Sequence, residues 1–354
     1  VFYTFVTVET ALKKDIRTLK LDELKEFFVQ IGEKPFRAQQ VYDWLWNKAV
    51  KDFDHMTNLS VDLREKLKSH FTIRHIKVDH MQRSADGTIK NAVTLHDGLV
   101  VESVLIPTEK RITACVSSQV GCSLACQFCA TARLKRQRNL SPDEIYDQVV
   151  AIKEQAELFF GRPLTNIVFM GMGEPLLNYN NVISAIDKIT SQKGLNMASK
   201  RITVSTVGIA KMIIKMADDN VKFNLAVSLH AAIDKTRSSI MPINDTNPLD
   251  ELADALRYWY QKTKKKVTYE YVVWRGINDT EEHARALLKF CKVIPSKVNL
   301  IEYNPIDDGK FQQASESSLN MYMHLLESNG ITTRIRKSRG KDIDAACGQL
   351  ANKS

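Results

Sequence analysis

Several things are missing from this 354-residue chain, and each absence removes a class of function. No run of about 18 apolar residues occurs, so no membrane-spanning helix is expected. The opening Val-Phe-Tyr-Thr-Phe-Val is apolar but has no basic flank and no cleavage-type end, so it is not read as a signal peptide. Cysteine is scarce. Cys115, Cys122, Cys126, Cys129, Cys291 and Cys347 are too few in a chain this long for a disulfide scaffold. No tandem repeat or low-complexity segment interrupts the sequence. A second C-x2-C pair is also missing, and no nearby histidine completes a set, which argues against a structural zinc site with four ligands.

What is present centres on the stretch from Val116 to Cys129. It holds Cys122, Cys126 and Cys129 at the spacing C-x3-C-x2-C. Thiolates so spaced can ligate three irons of a cubane iron–sulfur cluster from one loop. The fourth iron is then open for substrate chemistry. Clustered thiols call for a reducing compartment, hence the cytoplasm. The net charge of +9 favours a polyanionic partner, of which nucleic acid is the commonest.

Residues 20–70 read as a small helical module. Leu21, Leu24, Phe27, Phe28 and Ile31 recur at helical spacing and Gly32 stops the run; Pro35 opens a second helix, and 61–71 form a third. Its exposed Lys and Arg suit contact with RNA. Residues 72–106 alternate in part, between the turn signals Asp86-Gly87 and Asp97-Gly98, and read as a small antiparallel ribbon. Glu102 lies in its last, apolar strand, so its carboxylate either faces outward or is aimed at a site.

From about Thr113 the pattern becomes strand, loop, helix, repeated. Strands are expected at 112–116, 165–170, 201–205, 223–228, 267–273 and 298–303. Ser141-Pro142-Asp143-Glu144 supplies a cap, a first-turn proline and a capping-box carboxylate for the helix that follows. Alternation of this kind implies parallel strands with right-handed crossovers, and six units rather than eight suggest an open partial barrel. Catalytic groups of such barrels sit at the C-terminal strand ends. One mouth therefore collects the cysteine loop, Gly173 and Glu174, Ser205, Ser228 with Leu229 and His230, and Asn304. Past residue 331, five cations in eight residues (Arg334 to Lys341) precede Cys347-Gly348. This segment reads as one that grips phosphate and brings a thiol to the site. Arg133, Lys135, Arg136 and Arg138 form a second basic cluster.

The cysteine loop resembles the signature of the radical SAM superfamily, whose open iron binds S-adenosylmethionine. Gly-Glu-Lys-Pro-Phe-Arg-Ala at 32–38, Gly-Met-Gly-Glu-Pro-Leu-Leu-Asn at 171–178, Ser-Leu-His-Ala at 228–231, Asn-Pro-Ile at 304–306 and Arg-Gly-Lys-Asp-Ile-Asp-Ala-Ala-Cys-Gly-Gln-Leu at 339–350 extend the likeness. Together they resemble the RlmN/Cfr family of radical SAM adenine methyltransferases, on the RlmN side, across residues 18–352. The resemblance implies an α/β fold: a partial (β/α)6 radical SAM barrel (109–330), a small N-terminal helical domain (1–72), a short β-ribbon (73–108) and a basic C-terminal segment (331–354).

It also implies methylation of adenine C2 in 23S rRNA, at the peptidyl-transferase centre, and in some tRNAs at the adenine 3′ of the anticodon. The implied cofactors are a [4Fe-4S] cluster on Cys122, Cys126 and Cys129 and two molecules of S-adenosylmethionine per turnover. Gly173, Glu174, Ser205, Ser228, Leu229, His230 and Asn304 match positions that hold S-adenosylmethionine. Cys347 matches a thiolate that is methylated first. A 5′-deoxyadenosyl radical then takes hydrogen from its S-methyl group, and the carbon adds to C2, tethering RNA to Cys347. A base removes the C2 proton, with Glu102 matching the proposed acceptor and Cys115 the alternative. Attack by Cys115 on the Cys347 sulfur releases product as a disulfide. An electron donor such as flavodoxin and a monomeric state complete the expectation. Relatives that methylate C8 tend to carry a further cysteine where this chain has Val120, which favours C2. A glycyl-radical activase would leave Cys347 idle, and a non-catalytic RNA-binding protein would use the metal only structurally.

Overall fold

A computed structural model describes residues 13–306 and 309–352; the apolar opening weighed as a signal peptide lies outside them. The chain divides into two compact units. One ends at His75 and takes in Ser191–Asn196, and the other holds Ile76–Thr190 and the chain from Met197 on.

The first unit contains the helices Leu21–Gln30 (α1), Phe36–Trp46 (α2) and Val61–His70 (α3). The Glu23 carboxylate accepts from the Lys20 N–H at 2.6 Å, and Ser60 Oγ accepts from the Leu63 N–H at 3.3 Å. These side chains satisfy donors that the first helical turn leaves free. Leu24, Phe28, Val41, Leu45, Leu63 and Leu67 are buried. At about 1.5–3 kcal/mol per fully buried large apolar side chain, this packing rather than helix propensity holds such short helices.

The second unit is built on one ten-stranded sheet whose spatial order is the chain order. Its strands are Lys77–Arg83 (β1), Ile89–Thr94 (β2), Val100–Pro107 (β3), Ile112–Cys115 (β4), Asn166–Phe169 (β5), Ile202–Thr206 (β6), Asn224–Ser228 (β7), Val267–Val272 (β8), Ser296–Ile301 (β9) and Thr332–Arg336 (β10). β1 to β4 pair antiparallel. β4 to β10 pair parallel. The parallel strands are joined through Pro142–Phe160 (α4), Tyr179–Thr190 (α5), Ala210–Asp218 (α6), Asp234–Ile240 (α7), Leu249–Thr263 (α8), Glu281–Cys291 (α9) and Glu316–Ser328 (α10). The Ser141 capping box forms as the sequence reads, with the Ser141 N–H on Glu144 Oε2 at 2.9 Å.

All six expected parallel strands are present, and two features go beyond the expectation. The antiparallel strands do not stand apart as a ribbon but form one edge of the same sheet. Val104 and Leu105 pair with Cys115 and Ala114, all buried, so the ladder continues across the tight Pro107–Ile112 connection. The basic segment opens with a seventh parallel strand, β10, held in register on β9 from Lys297↔Thr332 to Ile301↔Arg336. Among the described residues, no helix is long and apolar enough to cross a membrane.

Candidate active site

β4 delivers the chain into the cysteine loop, whose foot is stitched to the loop after β5. Ser118 and Gln119 donate backbone N–H groups to the Met172 carbonyl at 2.9 and 3.2 Å. Ser117 Oγ donates to the Glu102 carbonyl at 2.6 Å and accepts from the Met172 N–H at 2.8 Å. Gln119 Oε1 accepts from the Glu174 N–H at 2.8 Å. This approach explains the glycines. A Cβ on Gly173, at φ +93°, would lie 2.5 Å from Gln119 Cβ, and one on Gly171 would lie 2.7 Å from both Ser117 Oγ and the Val116 carbonyl. Protein packing, before any ligand, demands their small size. Gly173→Ala is expected to lower stability by about 2 kcal/mol or more, read as a lower denaturation midpoint.

Further along, Gln119–Val120 pairs with Arg138–Asn139. The Cys129 N–H turns back to the Cys126 carbonyl at 3.2 Å, and the Ala130 N–H meets the Gly348 carbonyl at 2.7 Å. Burial pushes the Cys122 thiol up to about 11 and raises those of Cys126 and Cys129 as well. Metal binding must therefore displace their protons. Among the described residues, no group of three or more His, Cys, Asp or Glu side chains is gathered to hold one metal ion. A cubane takes each thiolate on a different iron, and all three of these thiols come from one loop and face one cavity. The cysteine set therefore fits a cluster.

All three cysteines line a cavity of about 1030 Å³, counted with its open mouth. Gly173, Glu174, Ser205, Ser228, His230 and Asn304 line it too, so the strand-end residues are brought together. Leu229 is not among them. Its side chain is buried, its N–H is taken by the Glu270 carbonyl at 3.0 Å and its carbonyl by Arg237 Nε at 3.1 Å. Glu174 caps the turn after β5. Its Oε1 accepts from the Leu176 N–H at 3.1 Å and its Oε2 from the Val207 N–H at 3.0 Å. Burial nonetheless raises its pKa to about 7, so a cationic ligand group would restore its full charge. His230 sits at φ +56°, unusual for a side chain of its size, and packs edge-on to Phe128 at 4.7 Å. Burial, then Arg237, lowers its pKa to about 3, which keeps the ring neutral. Its Nδ1 accepts from the Val272 N–H at 3.2 Å, which assigns the proton to Nε2. The Asn304 Nδ2 donates to the Cys347 carbonyl at 3.3 Å, while its buried Oδ1 has no hydrogen-bond partner among the described residues. An orphaned acceptor beside the cluster cysteines fits a ligand donor.

A second cavity, of about 1140 Å³, is lined by Cys115, Cys347, Arg111, Arg336, Lys337 and Arg339 among others. Among the described residues, no carboxylate lines it. Cys347, Arg336 and Cys129 are among the residues that belong to both cavities. Cys115 is buried and Cys347 exposed, and both are free thiols here. Burial, with Cys347 close by, pushes the Cys115 thiol up to about 12 against the pull of Arg336. Cys291 is buried in α9 and lines neither cavity, as a core residue would.

Three placements were not foreseen. Glu102 lines neither cavity; its carboxylate meets Lys90 Nζ at 3.3 Å and the N–H groups of Ala351 and Asn352 at 2.8 and 3.1 Å. Glu270 lines the first cavity, accepting from Asn299 at 2.8 Å and facing Arg336 at 3.7 Å. A carboxylate in the buried strand Val-Thr-Tyr-Glu-Tyr-Val was its signal. Arg138 in the second basic cluster is occupied by Glu144 at 2.7 Å and Asp97 at 2.6 Å, so it is not free for substrate.

Comparison with known proteins agrees with this geometry. Residues 14–73 match the family described as "Ribosomal RNA large subunit methyltransferase N-terminal domain", and residues 116–288 match the radical SAM superfamily. A Christiangramia forsetii protein described as "Probable dual-specificity RNA methyltransferase RlmN" is 66% identical over 342 residues, 97% of each chain. A Flavobacterium psychrophilum protein of the same description is 68% identical over 341 residues, 96% of this chain and 98% of that one. A solved radical SAM methyltransferase from Sphaerobacter thermophilus superposes with a TM-score of 0.89 at 38% identity, across 95% of this chain and 99% of that one. The chain therefore belongs to the RlmN family of radical SAM RNA methyltransferases.

Proposed function

We propose that this enzyme methylates C2 of an adenine in 23S rRNA, at the peptidyl-transferase centre, and of the adenine 3′ of the anticodon in some tRNAs. Membership in the superfamily implies a [4Fe-4S] cluster and S-adenosylmethionine, which when bound supply the methyl group and a hydrogen-abstracting radical. The observation that carries the reading is the position of Cys347. It stands on the wall common to two cavities, one lined by Cys122, Cys126 and Cys129, the other by Cys115, four cations and Cys129 again.

Cys347 takes the methyl group on sulfur and carries it across that wall, and two molecules of S-adenosylmethionine are consumed per turnover. The Glu174 carboxylate holds an ammonium group, Asn304 Oδ1 accepts from a ligand donor, and Ser205 and Ser228 serve ribose or carboxylate. In the second cavity Arg111, Lys337 and Arg339 grip phosphates while the target adenine leaves its stack to reach the thiols. Cys115 then attacks the Cys347 sulfur, and a Cys115–Cys347 disulfide forms as the bond from sulfur to the bridging carbon breaks. The electron pair stays with that carbon, which takes a proton to become the methyl group, and an external dithiol reductant returns both cysteines to thiols. The C2 proton goes to Glu102 or to Cys115. The N-terminal helical module extends the grip on RNA. We place the enzyme in the cytoplasm as a monomer served by an electron donor such as flavodoxin.

Nucleoside mass spectrometry tests the reading. Anaerobically reconstituted enzyme should yield 2-methyladenosine in unmodified 23S rRNA fragment and in tRNA. The 8-methyl isomer would move the target to C8, and 5′-deoxyadenosine without methylated base would remove RNA adenine as the substrate. A triple change of Arg111, Lys337 and Arg339 to Gln is expected to weaken RNA binding and flatten its log–log salt dependence by about 2, at ~0.7 per single-strand phosphate contact.

A further inference from the structure

The antiparallel edge of the sheet holds the Cys347 segment from both sides. Upstream of the thiol, Ser84 Oγ and the Ala85 N–H donate to the Asp342 carboxylate at 2.6 and 3.1 Å, and the Gly340 N–H donates to Asp86 at 3.0 Å. Downstream, the N–H groups of Ala351 and Asn352 converge on Glu102 Oε2, and Asn352 Nδ2 donates to the Val100 carbonyl at 2.8 Å. Lys90 completes the arrangement. Ala92 stands opposite Glu102 in the β2–β3 ladder, so Lys90, two residues before it, shares the same sheet face and reaches Glu102 Oε1 at 3.3 Å. Both side chains are about 95% buried or more.

We propose that Lys90 and Glu102 are positioning residues that clamp Ala351 and Asn352 and so set where the Cys347 thiol stands between the two cavities. The inference rests on reading Cys347 as the methyl carrier. A carboxylate this far from water needs hydrogen-bonded, charged partners, and a buried ammonium needs its counter-charge. The tail N–H groups and Lys90 supply the first need, and Glu102 the second. Cys347 lies four residues before Ala351, and the intervening backbone is pinned inward by Ala130 on the Gly348 carbonyl at 2.7 Å and Thr131 Oγ1 on the Leu350 carbonyl at 2.6 Å. Little slack remains, so a released clamp moves the thiol. The clamp also bears on the C2 proton. The Glu102 carboxylate faces neither cavity while it holds the tail, so clamp and base are mutually exclusive states of one group.

Two variants of the reconstituted holoenzyme test this. Glu102→Gln removes the charge, and Ala351→Pro removes one N–H donor while leaving Glu102 and Lys90 in place. Hydrogen exchange by mass spectrometry should show the amides of 345–352 exchanging at least about tenfold faster in both. S-methylation of Cys347 with S-adenosylmethionine, in the absence of RNA, should slow about tenfold, because displaced reacting atoms lose rate steeply. The cluster's visible spectrum should not change. A Glu102 that acts only as a base predicts otherwise: Ala351→Pro behaves as wild type, and Glu102→Gln methylates Cys347 normally but accumulates RNA-linked protein. That result would overturn the clamp. Should Glu102→Gln fail to fold, Ala351→Pro carries the test alone. Absence of S-methyl-Cys347 in the wild type would instead sink the proposed function, and the exchange data would still decide the clamp.

Discussion

Cys347→Ala is expected to transfer no methyl group to RNA or to itself, a loss of at least about a thousandfold, while keeping its iron and its fold. Cys347 is exposed, whereas the cysteines that would carry the cluster are half-buried on a separate loop. Substituting an exposed side chain outside the core changes stability by roughly 0.5 kcal/mol or less, so unfolding would not account for the loss. In the proposed mechanism the methyl group reaches adenine C2 on a sulfur, which must first accept it as a nucleophile. Alanine offers none. Tryptic peptide mass spectrometry reads the S-methyl group on the 347 peptide, nucleoside analysis reads the RNA, and iron content reads the cluster. Near-normal turnover in this variant would end the carrier reading whatever the other measurements gave.

Cys115→Ala should give the opposite phenotype: a productive first half and a blocked second. Cys115 lines only the basic cavity, so the cluster side of the reaction does not require it. Cys347 is therefore expected to be methylated and joined to RNA. Without a second thiol, the bond between the Cys347 sulfur and the bridging carbon has no attacking partner. Protein and RNA should then migrate together on a denaturing gel, with released product reduced by about a hundredfold or more. The wild-type thiol is not a ready nucleophile at rest, since burial pushes it up to about 12. It lies beside Arg336, the cation that favours its ionised form. Release of free methylated RNA at the wild-type rate would transfer the resolving role elsewhere.

What the sequence discloses depends on how local each interaction is. α4 is legible because Ser141, Pro142 and Glu144 cap it within one turn. The parallel strands are legible from their apolar runs, and the mouth residues follow because parallel strands end on one side. β10 is harder to read: Thr332–Arg336 carries two arginines, and its place depends on the β9 edge being open to it. Glu102 shows the limit. Its partners stand on the neighbouring strand and 249 residues away, and nothing near it in the sequence names Ala351. Arg138 fails for the same reason in reverse. A cluster of cations looks free until the fold supplies Glu144 and Asp97. Gly173 is a subtler case, since a glycine by a cofactor site and a glycine between two packed loops look the same along the chain.

The sheet's strand order has a consequence for how the enzyme is made. Because each strand pairs with its predecessor, the sheet can grow one strand at a time as the polypeptide leaves the ribosome, without waiting for distant partners. The cysteine loop is thus framed by β4 and β5 well before residues 338–352 exist. Only when those residues emerge can they reach back to Ala130, Thr131 and Glu102 and roof the thiols. Synthesis order therefore opens an interval in which the cradle is built but uncovered. Until then the nascent chain lacks Cys347, the carrier of the proposed mechanism, at the cavity it has already framed.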